Sequence, residues 1–483
     1  MRRGRNLDAK DRQSVSEAIA QQRTETVSWP TVFAYGAPGV VMGYMYLLMS
    51  LYVMKFSTDV LLIAPAVMGV IFSISRIWDA VSDPLVGYLS DRTRSRLGRR
   101  RSWMLASIPV IGLSFLMVFA PPVTLGETGV IVWMAVAIIG FYGLASVLFV
   151  PHMSLGAEIS INYHERSRLF GMRHMFYTFG SILALISMQI FISAEAAQAS
   201  ESDGHALLRA TVFDHAAIAG IVLTIVVCLA VAGLRERPEF SGRAAGSPWQ
   251  AYSDVWRNRH ARLLIIVTFI ENIGSAAIGA LTLYVTQYVV GTPQLAPAII
   301  LAYMIPSTIS VPMWLPLSRR FGKKRLWMFS MALTGLSFGG MVSLAFVDSQ
   351  DARVWIIFVL AAFAGLAAGC GGTIGPSVQS DVIDFDEHET GERKEGSYFA
   401  AWNFVYKSAY GVMLLMTGFV LQLTGFVPNA EQTQLVKVAM VGLYGAMPLL
   451  CYGIGVLLFS RFRLDEAEHA RIRAVLDSRA REP

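Results

Sequence analysis

Charge is scarce in this chain. Asp, Glu, Lys and Arg together make up 15% of its 483 residues, against 54% hydrophobic ones, a balance too apolar for an ordinary soluble enzyme of this length. Cysteine is scarcer still. Cys228, Cys370 and Cys451 are its three copies; they fall inside apolar runs without metal-ligand spacing, so packing is their expected role. No connecting stretch is long enough for a soluble catalytic domain, and no cluster of His, Cys and acids has catalytic or metal spacing. A membrane-embedded enzyme is therefore not the expected reading. The first 29 residues lack the apolar core of a cleavable signal peptide, which leaves the first apolar run as a membrane helix.

What the chain has instead is apolar length. Its mean hydropathy is +0.50. A spanning helix needs about 17–25 largely apolar residues, and twelve runs qualify, from Pro30–Met54 and Val60–Leu89 through Tyr398–Gly425 to Val436–Leu458. Basic residues gather in alternate connections: Arg92 to Arg101 after the second run, Arg166 and Arg168 after the fourth, Arg319 to Arg325 after the eighth, Arg393 and Lys394 after the tenth. The intervening stretches APPVTLGETG and VVGTPQLAP have none. Because Lys and Arg collect on the cytoplasmic side, both termini are expected in the cytoplasm of a protein integral to the cell membrane. The sequence pI of 9.2 then reflects contact with anionic lipid headgroups and not nucleic-acid binding.

The polar stretch from Arg235 to Arg262 splits the runs six and six. VSDPLVGYLSDR (Val81–Arg92) and ISVPMWLPLSRR (Ile309–Arg320) align without a gap, and each precedes a Gly and a basic cluster, GRRR and GKKR. The expected architecture is all-α: residues 1–29 as a cytoplasmic segment, 30–234 as one six-helix bundle, 235–262 as a central loop, 263–460 as a second bundle and 461–483 as a tail. The two bundles are related by a pseudo-two-fold axis along the membrane normal.

The repeat fails at one place. Asp79 and Asp83, four residues apart on one helix face, stand opposite Ser307 and Val311, and this one-sidedness favours a site over a structural pair. A carboxylate at mid-bilayer costs about 2.5–3.5 kcal/mol even on the lenient insertion scale, so the pair needs a monovalent cation, a proton or a basic partner. Arg76 and Lys407 are the candidate internal counter-ions. Lys407 is itself anomalous, lying about ten residues into the eleventh run behind Trp402, Asn403 and Tyr406. A lysine that deep faces a partner or a water-filled cavity, and counter-ion and substrate contact both stay open for it. Glu271 and Asn272, mid-way along the seventh run, are further candidate cavity residues. In GYLSDRTRSRLGRRR, a latch is expected in which Asp91 pairs with a helix end or with basic residues nearby, Arg92, Arg99 and Arg100 being the gating candidates, and biases the outward-open state.

WDAVSDPLVGYLSDRTRSRLGRRR, PHMSLGAEISINYHERSRLFGMR and DVIDFDEHETGERKEGSYFAAWNFVYK resemble the recurrent signatures of the glycoside–pentoside–hexuronide:cation symporters, the major facilitator branch that includes melibiose permease. The resemblance covers essentially the whole chain. It implies twelve transmembrane helices in two pseudo-symmetric bundles, a coupling Na⁺ or H⁺ at Asp79 and Asp83, a hydroxyl ligand at Ser146, and Lys407 as the family's buried lysine. It also implies no cofactor beyond that ion, a small-molecule substrate, and a monomer in the bilayer as the functional unit. Two acids with which melibiose permease holds sugar hydroxyls fall, by ungapped counting, at Gly43 and Phe149. The expected cavity is accordingly aromatic and apolar, with Phe149, Met153, Trp402 and Tyr406 around Lys407. The function implied is cation-coupled symport of a sugar, glycoside or hexuronide by alternating access. The alternatives are symport of an amphipathic anion such as a lysolipid, carried by a related branch, and uncoupled facilitation.

Overall fold

The computed structural model describes residues 26–160, 163–197, 206–236, 253, 255–391, 395–464, 468–469, 471–472 and 475–476. Most of the expected central loop and N-terminal segment therefore lie outside the described residues. The helices, numbered along the chain, are α1 (Trp29–Leu51, extended by Val53–Lys55 and Phe56–Val60), α2 (Pro65–Arg92), α3 (Arg99–Phe119), α4 (Glu127–Ile159), α5 (Tyr163–Ala197), α6 (Ala206–Gly233), α7 (Arg259–Tyr284, extended by Val285–Val290), α8 (Ala296–Ile309 and Val311–Phe321), α9 (Lys323–Gly340), α10 (Gln350–Thr390), α11 (Glu395–Leu423) and α12 (Gln434–Val441 through Met447–Phe459). The described residues contain no strand, as hydrocarbon requires of a chain that does not close a barrel, because only a helix satisfies its own backbone there.

Eleven of these helices are long and apolar enough to cross a membrane. The other long one, α2, has 28 residues, but Arg76, Asp79 and Asp83 dilute its apolar character. The first run also differs from expectation. It does not end at Met54: the chain continues as a π-helical turn over Phe56–Val60, which draws Lys55 and Asp59 into the interior, 2% and 0% exposed. The α7 helix ends the same way, in a π-helical turn over Val285–Val290.

The internal repeat survives in backbone conformation. Gly98 and Gly322 precede the basic clusters at the starts of α3 and α9, with φ of +106° and +80° and ψ of 158° and 146°, a region essentially confined to glycine. Each following basic cluster ties its helix to the next: Arg100 Nη2 lies 3.3 Å from Glu158 of α4, and Lys323 Nζ lies 2.7 Å from Asp381 of α10. In the first bundle α1 and α5 cross with their backbones nearly touching. A Cβ on Gly43 would stand 2.0 Å from the Tyr177 carbonyl oxygen, and one on Gly180 1.8 Å from that of Val40. Small residues allow this approach where helices have no hydrophobic drive to associate.

Candidate substrate and cation site

The acid pair sits between two helices. Asp79 and Asp83 occupy consecutive turns of α2, which packs along α11, and that contact delivers Lys407. Its ammonium nitrogen lies 2.9 Å from Asp79 Oδ1 and 2.6 Å from Asp83 Oδ2. Ser146, from α4, completes the group, its hydroxyl within 3.0 Å of Asp79 Oδ1 and 2.5 Å of Asp83 Oδ1. One hydroxyl proton serves one carboxylate at a time. Ser82 Oγ lies 3.2 Å behind Ser146 Oγ. Asp79 Oδ2 is buried with no hydrogen-bond partner among the described residues. Two carboxylates, one of them with an unsatisfied buried oxygen, and a hydroxyl are hard ligands suited to a monovalent cation, and the carboxylates to a proton.

Arg76, one turn before Asp79, is held differently. Its guanidinium lies 3.8 Å from the centroid of the Tyr142 ring and 4.5 Å from that of Tyr410, and Nη2 donates to the Tyr142 hydroxyl at 2.8 Å. Stacking between two rings suits a planar, weakly hydrated cation.

These groups form one wall of a cavity of about 680 Å³, within the usual range for a small-molecule site. Asp79, Asp83, Arg76 and Lys407 line it from α2 and α11; Phe149 and Met153 line it from α4; Asn272 lines it from α7. Ile299, Ile300 and Met304 of α8 and Phe338 of α9 also line it, so the cavity combines charged groups with a large apolar lining. On α11 the lining residues are Asn403, Tyr406, Lys407 and Tyr410, the i, i+3, i+4, i+7 stripe of a single helix face.

Trp402 and Glu271 are not among the residues lining this cavity. Trp402 lies a quarter turn off the α11 stripe, 4% exposed, with its ring 5.7 Å from that of Tyr398. Glu271 turns towards α12, where Gly455 leaves room for its side chain. Gly43 faces the α5 backbone, so no side chain projects from that position at all. Of the expected latch, the Asp91 side chain lies outside the described residues. Arg92 stacks on and donates to Tyr88 one turn back. Arg99 and Arg100 reach Glu158, and Arg100 also reaches Ser90. The backbone N–H groups of Arg99, Arg100 and Arg101 donate to the Glu236 carboxylate, which caps α3. These contacts all fall within the first six helices and their flanking ends.

One cation beside this cavity escaped sequence reasoning. Arg173 of α5 lies 5.8 Å from the centroid of the cavity-lining Phe149 ring, and its Nε is buried with no hydrogen-bond partner among the described residues. Standing second in an apolar run, it reads in sequence as a headgroup-facing arginine; the helix packing that brings it beside Phe149 does not show in the run.

Comparison with known proteins agrees with this architecture. The chain is 24% identical to the inner membrane symporter YicJ of Escherichia coli, covering 91% of this chain and 93% of that one. It is 27% identical to the sodium-dependent lysophosphatidylcholine symporter 1-A of Danio rerio, over 92% and 87%, and 25% identical to the isoprimeverose transporter of Lactiplantibacillus pentosus, over 92% and 90%. In fold it is similar to the nucleoside transporter NupG, with a TM-score of 0.60 at 15% identity over 89% of this chain and 98% of that one. A D-xylose-proton symporter gives a TM-score of 0.62 at 13% identity over 90% and 97%. The family model described as MFS/sugar transport protein matches residues 34–466; the chain belongs to that family and is a transmembrane transporter of the major facilitator fold.

Proposed function

We propose that the protein is a cation-coupled symporter in which Na⁺ or H⁺ binds at Asp79, Asp83 and Ser146 and drives movement of a glycoside- or hexuronide-type solute across the cell membrane. The observation that carries this reading is the Lys407 ammonium bridging both acids at 2.9 and 2.6 Å on the wall of the cavity. An uncoupled facilitator has little need of so costly a centre.

The charges supply a reason for coupling. With Asp79, Asp83, Arg76 and Lys407 all ionised the centre is neutral. Lys407 holds the point where the two carboxylates converge, so an arriving cation competes with its ammonium and frees it into the cavity. The centre then carries one excess positive charge, which is expensive in a site of low dielectric. A hexuronide or other anionic solute contacting Lys407 removes the excess, which a neutral glycoside does not. Empty and doubly loaded forms are neutral, singly loaded forms are not, and a carrier that changes conformation only when neutral moves cation and solute together.

A second reading has its own support: the apolar lining of Ile299, Ile300, Met304 and Phe338, in the same cavity as the charged groups, fits an amphipathic anion such as a lysolipid. The absence of any side chain at Gly43 and the phenyl ring at Phe149 also argue against a small neutral sugar. The orientation that goes with either reading puts both termini, Gly98 and Gly322 on the cytoplasmic face. The test is uptake by proteoliposomes of hexuronides, aryl glycosides and lysolipids after a Na⁺ jump or a pH jump. Stimulation of one class by one ion is expected, whereas uptake indifferent to both ions would leave an uncoupled facilitator.

A further inference from the structure

At the end of the molecule opposite Gly98 and Gly322, extracellular in the orientation proposed above, lies a second buried charge cluster. Lys55 Nζ is 3.2 Å from Asp59 Oδ2 and 2.9 Å from Glu195 Oε1 of α5. All three belong to the first bundle. Asp59 is also held from the second: the Tyr288 hydroxyl, at the end of α7, donates to Asp59 Oδ2 at 2.7 Å, and Asn429, in the α11–α12 connection, donates from Nδ2 to the Asp59 carbonyl at 2.6 Å. The Asn429 backbone N–H donates in turn to the Tyr288 hydroxyl at 3.1 Å. Thr58 lies 2.7 Å from the Tyr284 hydroxyl. Since the single Thr58 proton goes to Asp59 or to the Lys55 carbonyl, Tyr284 is the donor of that bond.

We propose that this junction is the extracellular gate, with Asp59 as its hub, and that Tyr288, Asn429 and Tyr284 form the breakable half of the latch. Separating the bundles at this end must break all three bonds to Thr58 and Asp59. It breaks none of the bonds to Lys55, because Lys55, Asp59 and Glu195 move as one body with the first bundle. The hub carboxylate therefore keeps its counter-ion in both states, and opening loses neutral donors that water replaces, not an ion pair. That division lets a buried charge serve a gate reversibly, since an ion left buried without its partner would be far more costly than a lost neutral hydrogen bond. Two of the three π-helical turns among the described residues, Phe56–Val60 and Val285–Val290, fall in this junction, the third being Gly442–Ala446 of α12, and such turns are common at functional sites. They aim Asp59 and Tyr288 at each other across the junction.

The inference rests on the alternating-access reading, and the experiment separates the two. Ser50, which lines the cavity on α1, is replaced by cysteine, and its reaction with a membrane-impermeant maleimide added outside whole cells is measured against the chain lacking that cysteine. Tyr288→Phe, which removes only the hydroxyl, is expected to raise the external labelling rate about fivefold, the fold-change that about 1 kcal/mol becomes at 1.4 kcal/mol per tenfold. Asn429→Gly, which keeps the positive φ of 57° and removes the side-chain bond, should act in the same direction. Labelling that is measurable and unchanged in both variants overturns the latch and leaves alternating access standing. Labelling absent from outside in every variant overturns both.

Discussion

Two clusters in this protein share a composition, two carboxylates and one lysine, and differ in nearly everything else. In the mid-membrane centre Lys407 and Asp83 keep side-chain exposures of 20% and 22%, with Asp79 at 1%; at the far end Lys55 and Asp59 have 3% and 0%, with Glu195 at 16%. The first cluster joins α2 to α11, across the two bundles, and opens on a cavity. The second joins α1 to α5 within one bundle and is sealed by neutral donors from the other. On the reading proposed above, charge content does not distinguish the two and access does: an ammonium beside the cavity is open to displacement by an arriving cation, and one packed between helices is not.

The contrast breaks most sharply at the two lysines. Lys55→Met leaves Asp59 and Glu195 without their cation and should cost about 3–5 kcal/mol, read as lost expression or a steep fall in melting temperature in detergent. Lys407→Ala should cost less, below about 3 kcal/mol, because the acids it strands reach the cavity and can take a proton or Na⁺ from it. Most of that loss should return on adding Na⁺ or lowering the pH. A Lys55→Met protein that Na⁺ restores equally well would erase the distinction between the clusters.

A third prediction sharpens the comparison between the bundles. Gly322→Ala meets no neighbouring atom, so its cost is the backbone alone, about 1–3 kcal/mol for a conformation reserved to glycine. Gly98→Ala carries the same backbone cost plus a Cβ 2.4 Å from the Glu236 carboxylate that caps α3, and should melt lower. Equal melting temperatures would mean that Glu236 moves aside freely. The smallest effect is expected for Ser146→Ala, a cation affinity lowered by less than about tenfold through one lost ligand worth about 1 kcal/mol, read by titrating Na⁺ or pH.

The sequence made the broad plan legible because each of its signals is strong in one dimension. Apolar runs and alternating basic loops give helix order, and the ungapped match of Val81–Arg92 with Ile309–Arg320, each followed by a Gly and a basic cluster, gives the repeat. Asp79, Asp83 and Lys407 stand out because charge inside an apolar run is expensive wherever it points. Rotation about a helix axis is different, since it is set by packing partners that no run reveals. Trp402 and Tyr406 are four residues apart on α11, yet Tyr406 lines the cavity and Trp402 packs against Tyr398. Glu271 turns to α12 while its neighbour Asn272 lines the cavity. The gate cluster was illegible for a related reason: Lys55 and Asp59 sit where the apolar pattern pauses, which in sequence looks like a loop, and only the π-helical turn keeps them inside.

The central claim, that the open cluster binds the coupling cation and the sealed one does not, comes down to one measurement. Thermal unfolding of the purified protein is followed while Na⁺ is titrated at several pH values, for the unaltered chain, Asp83→Asn and Asp59→Asn. The account predicts stabilisation by Na⁺ or by acid in the unaltered chain, its loss in Asp83→Asn, and its survival in Asp59→Asn whatever that change does to the baseline. Stabilisation that survives in Asp83→Asn and disappears in Asp59→Asn would place the cation at the far end and contradict the account.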